Sequence, residues 1–147
     1  MLYFIWKAGA NMHNDKLTVQ SMDSSIYNKL QNDFVMIRFL HCGIVNDTES
    51  LNNAKNNIIM IRSVIEEMHG ENSHNLLVYC IDTLLEIIQE NNREKTFDFA
   101  DLIHNMPEIY LGKRSIMSFK RGIRAFNKKY KANYFIEFIR FFSPKNI

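Results

Sequence analysis

Two carboxylate–imidazole pairs in the chain stand at a spacing that suits metal binding: Glu66 with His69, and Asp101 with His104. Residues three apart share a helix face, so each pair can offer one oxygen and one nitrogen to a single ion. Two Glu-x-x-His pairs joined by two further glutamates build the di-metal carboxylate bundles. Here Asp101 replaces one of the glutamates. The remaining ligands would have to come from Glu67, Glu86 or Glu90, and their facing is not set by the spacing. Glu66, His69, Asp101 and His104 are therefore candidate ligands, while the expectation is no metal and no cofactor. His104, just before Asn105 and Pro107, is expected to tie down a helix end by hydrogen bonding.

Arg62 and His69 are seven apart and share a helix face as well. The stretch R-S-V-I-E-E-M-H resembles the R-x6-H signature of HEPN-type ribonucleases, which are small all-α domains. The resemblance covers two residues of 147. Ser63 stands where that family usually has a polar amide or an acid, and Glu66 and Glu67 lie inside the motif. The resemblance implies that Arg62 and His69 form a catalytic pair across a dimer. No serine sits in a nucleophile elbow, no glycine-rich loop suits phosphate, and no zinc-ligand spacing occurs. The expectation leans away from an enzyme.

The charge distribution carries a stronger pattern. From Lys113 to Lys145 there are ten basic residues and one acid, Glu137, a net charge of +9. The rest of the chain holds eight basic and fifteen acidic residues, a net charge of −7, so the overall +2 conceals a polarity. Lys120, Arg121, Arg124, Lys128 and Lys131 fall within an arc of about 100° if residues 115–131 are helical. That arc is centred about 130° from the apolar face of Ile116, Phe119, Ile123, Phe126 and Tyr130. Such a ridge attracts an acidic protein or, as the alternative, nucleic acid. Most such charge runs are solvated faces, and this one can also be neutralised within the fold by the acidic line Asp82, Glu86 and Glu90.

The elements that position these residues read as helices. One is expected to start after Ser21, with Asp23 or Ser24 as cap, and to end near Cys42 with Gly43 as a left-handed stop. A second begins at an Asn46/Glu49 capping box and carries the stripe Leu51, Ala54, Ile58, Ile61, Ile65 and Met68, closed by Gly70. A third follows Ser73. Its apolar positions from Leu76 to Ile88 cover more than one stripe, which places it near the centre. A fourth spans about 93–104, and Pro107 breaks it or opens a short new turn. A fifth starts near Ser115, and the aromatic run 132–142 extends it or forms a separate piece until Pro144.

Composition agrees with this reading. The chain has 46% hydrophobic residues, two prolines and five glycines, enough apolar surface for one core and little turn punctuation. The expected fold is all-α, an irregular bundle of about five helices in a single domain over 17–147. Residues 1–16 are expected to form a disordered or loosely docked segment, with Met12 or Met22 as alternative starts. No apolar stretch approaches the ~20 residues of a membrane span. Cys42 and Cys80 are expected to be free, buried thiols, and the location cytoplasmic by default. The abundance of Asn, Ile and Lys is the bias of AT-rich bacterial genomes. The expected function is that of a non-catalytic interaction or accessory module, with an acidic protein partner or self-association through the ridge.

Overall fold

The computed structural model describes residues 13–43, 45–69 and 75–136, and these form an all-α bundle. The elements are α1 (His13–Leu40), α2 (Thr48–His69), α3 (Asn75–Gln89), α4 (Arg93–Ile103), the short α5 (Met106–Tyr110) and α6 (Ile116–Tyr130). Helix α1 packs on α2, α4 and α5, α3 packs on α2 and α4, and α6 packs on α4. The expectations for residues 1–12, Gly70 and Ser73 lie outside the described residues, as do those for the run beyond Ile136 and its stop at Pro144.

Helix α1 already runs from His13, well before the expected start after Ser21, since no Pro or Gly interrupts 13–24 and Asp23 and Ser24 are ordinary helical positions. Its far end is not stopped by a left-handed Gly43 either. The Arg38 and Phe39 carbonyls accept from the His41 and Cys42 N–H groups in a tightened last turn, and side chains take up the others: His41 Nδ1 donates to the Ile37 carbonyl at 2.7 Å. Arg93 donates to the carbonyls of Leu40 and Val45, both at 2.9 Å, and to that of Gly43. One guanidinium from α4 thus does what a glycine cap would do, and also fixes the connection into α2.

The cap of α2 is one residue beyond the expected box. Asp47 Oδ1 accepts from the Ser50 N–H at 3.0 Å, and Oδ2 accepts from the Ser50 hydroxyl at 2.8 Å. These bonds hold the Asp47 carboxyl below its usual range. The stripe is otherwise as the period requires: Ala54, Ile58, Ile61 and Ile65 are buried. In α3 the buried residues from Leu76 to Ile88 occupy an arc of about 160°, and Leu76, Leu77, Cys80, Ile81, Leu84 and Ile87 have no exposed surface.

Asn92 caps α4, accepting from the Lys95 N–H at 3.0 Å, and His104 closes it with Nδ1 donating to the Asp101 carbonyl. Pro107 opens α5 at its first turn, and Gly112 (φ 77°) follows in the left-handed region. Ser115 caps α6, accepting from the Met117 N–H at 3.1 Å. Phe119, Ile123 and Phe126 are buried against the bundle. Beyond α6 the chain turns back. Asn127 bonds the backbone of Tyr134 through both its amide groups, and Phe135 packs edge-on against Phe119 at 5.3 Å. Tyr134 and Phe135 thus belong to the core cluster with Phe99 and Phe126.

Candidate functional site

Helix α6 presents the basic ridge, with two changes from the sequence expectation. Lys120 is 1% exposed and belongs to the packed side of the helix. On the helical wheel it lies about 80° from the centre of the apolar face, the nearest of the five to that face. Burial, and then the charge of Arg124, hold its ammonium below the usual lysine value. Lys131 is not helical but the C-cap, in the left-handed conformation (φ 51°, ψ 49°), with its N–H bonded to the Asn127 carbonyl. Arg121, Arg124 and Lys128 are exposed on the helix, and Lys131 is exposed just beyond it.

The ion pairs of the fold run elsewhere. Asp82 of the acidic line accepts a fork from Arg62, Nε to Oδ1 at 2.7 Å and Nη2 to Oδ2 at 3.1 Å. Glu90 of the same line pairs with Lys95 at 2.8 Å. Two cations of the basic segment are matched locally. Arg114 meets Glu108 at 2.9 Å, and Lys129 sits between Glu94 (2.7 Å) and Asp98 (2.8 Å) on the opposite flank of α6. Arg121, Arg124, Lys128 and Lys131 make no ion pair among the described residues. The acidic line of α3 therefore does not neutralise the exposed ridge.

Arg62, the arginine of the R-x6-H stretch, is also bonded to Glu66 at 2.7 Å. Its guanidinium joins α2 to α3, and the Asp82 hydrogen bonds raise its pKa. His69 ends α2, and its side chain lies outside the described residues. Among the metal candidates, Glu66 is held by Arg62, and Asp101 by Arg38 at 2.8 Å. His104 is bonded to its own helix end. Among the described residues no group of three or more His, Cys, Asp and Glu side chains converges as a metal site would require.

Cys80 is buried, and burial pushes its thiol pKa well up, whereas Cys42 is exposed; both are free. A groove of about 150 Å³ between α1 and α2, lined by Ile26, Lys29, Asn57, Met60, Ile61 and Val64, was not legible in the sequence. It has room for one apolar side chain and falls short of the ~300 Å³ of the smallest usual ligand pockets. No described helix is long and apolar enough to cross a membrane. No protein-family model, curated protein or solved structure matches the chain.

Proposed function

We propose that the protein is a non-catalytic interaction module of cytoplasmic, bacterial type that engages an anionic partner through the exposed basic face of α6. The contact residues are Arg121, Arg124 and Lys128, with Lys131 beside them. The observation that carries this reading is the separation of the ridge from the acids. Asp82 and Glu90 hold Arg62 and Lys95, while Glu94 and Asp98 hold Lys129 on the other flank. The exposed cations are left with their charge directed at solvent, where it attracts an anionic surface over about a Debye length. A second copy of this chain is a poor complement, because Asp82 and Glu90 of its acidic line are already engaged. The two free thiols suit a reducing compartment.

The test is retention on immobilised heparin, a generic polyanion, at low salt. The triple reversal Arg121→Glu, Arg124→Glu, Lys128→Glu is expected to abolish retention while leaving helix content and unfolding midpoint near those of the wild type. Undiminished retention of the folded variant would overturn the assignment.

A further inference from the structure

The chemistry of the ridge distinguishes between anionic partners. Stable protein–protein contacts are organised around buried aromatic or aliphatic anchors, with charges mostly at the rim. The exposed large hydrophobic side chains of the described residues are Met36, Phe39, Ile59, Met60, Val64, Tyr79 and Ile136, and none of them is on α6. The aromatic residues of α6 are turned away from the ridge. Phe119 and Phe126 are buried, and Tyr130 packs on Phe126 at 4.7 Å with its hydroxyl donating to Asp98. Tyr134, the next aromatic in the chain, packs on Phe126 at 5.9 Å. Among the described residues, the ridge thus offers no anchor for a protein partner and no platform on which an unpaired base could stack. What these residues present there is a row of exposed cations along one helix. Arg121, Arg124 and Lys128 span about 10 Å along the helix axis. A charged, regularly spaced and rigid polyanion that needs no apolar contact is the phosphodiester backbone of a nucleic-acid duplex.

We infer that Arg121, Arg124, Lys128 and Lys131 bind the phosphate backbone of double-helical nucleic acid without reading its sequence. The inference rests on the interaction-module reading above and names its partner. With three to four phosphates neutralised, the affinity for B-form DNA follows a log–log salt slope of about −3 to −4, or roughly 100-fold weaker binding at 200 mM than at 50 mM salt.

The experiment is fluorescence anisotropy of the full chain with a labelled 20-base-pair DNA duplex, a second duplex of unrelated sequence, the single strand of the first, and labelled polyglutamate. Two variants carry the same change in net charge: Arg124→Glu/Lys128→Glu on the ridge, and Lys29→Glu/Lys55→Glu on α1 and α2. The expected result has four parts. Both duplexes bind within about threefold of each other, and the salt slope is near −3 to −4. The ridge variant loses at least tenfold in affinity and about two units of slope, and the α1–α2 variant stays within about twofold of wild type. Tighter binding to the single strand, or equal losses in the two variants, overturns the duplex assignment. Binding of polyglutamate without binding of either duplex overturns it too, but leaves the interaction-module reading standing. Binding of none of the four probes at low salt removes both.

Discussion

Lys120 and Lys131 show how the position of a residue within a helix outweighs its type. Both are lysines in a basic run, yet one is packed into the bundle and the other closes the helix in a left-handed turn. The left-handed conformation costs a non-glycine residue about 1 kcal/mol. Lys131→Gly is therefore expected to raise the unfolding free energy by about 1 kcal/mol in a denaturant titration. The same substitution removes a cation from the ridge and is expected to weaken heparin binding, so stability and binding move in opposite directions. A variant that lost both would show that the Lys131 side chain supports the fold. The arcs on α6 made part of this legible beforehand: of the five cations, Lys120 lies nearest the apolar face, at the edge where burial begins. The end of the helix was not legible, because the turn that stops it depends on Asn127 bonding Tyr134.

Between elements, two contacts have measurable consequences. Gly122 lies where α6 packs on α4, and a Cβ at that position would run into Leu102 Cδ1. Alanine is favoured over glycine inside a helix by about 1 kcal/mol. The Gly122→Ala substitution is expected to deliver that gain only in a Leu102→Ala background. With Leu102 present the leucine must move, and the gain is lost. Equal effects in the two backgrounds would rule out the close approach. The Arg62–Asp82 fork joins α2 to α3 with side chains that are 31% and 48% exposed, so solvent screens it. A double-mutant cycle of Arg62→Ala and Asp82→Ala is expected to give a coupling of about 0.5–1 kcal/mol in thermal unfolding. Coupling indistinguishable from zero would free Arg62 for another role. The stripe of α2 and the broad apolar arc of α3 follow from local periodicity, and both could be read from the residues. The partner of Arg62 could not, since Asp82 lies twenty residues away on another helix.

For the molecule as a whole, the joint where α1, the following loop and α4 meet makes stability sensitive to acid. His41 is held below its ordinary value of 6.5, by burial first, against its bond to the Ile37 carbonyl and with the help of the Arg93 charge. A histidine whose pKa is lowered in the fold contributes stability that is complete above the unfolded value and is lost as pH falls through the folded one. The unfolding free energy is expected to drop as pH falls below the ordinary histidine value of 6.5, and to drop less in His41→Gln. Parallel pH profiles for the two proteins would place the titrating group elsewhere. The sequence by itself determined the all-α class, most of the core-facing positions, the starts of α4 near Arg93 and α6 near Ser115, and the polarity of charge along the chain. Each of these depends on residues within about one or two helical turns of one another, where spacing alone sets which side chains share a face. Tertiary structure decided which acids meet which bases, that Arg93 would close α1 in place of Gly43, and that four cations of the ridge would stand clear of the acidic line. Those outcomes turn on where long side chains from different helices meet in space, and local spacing carries no information about that.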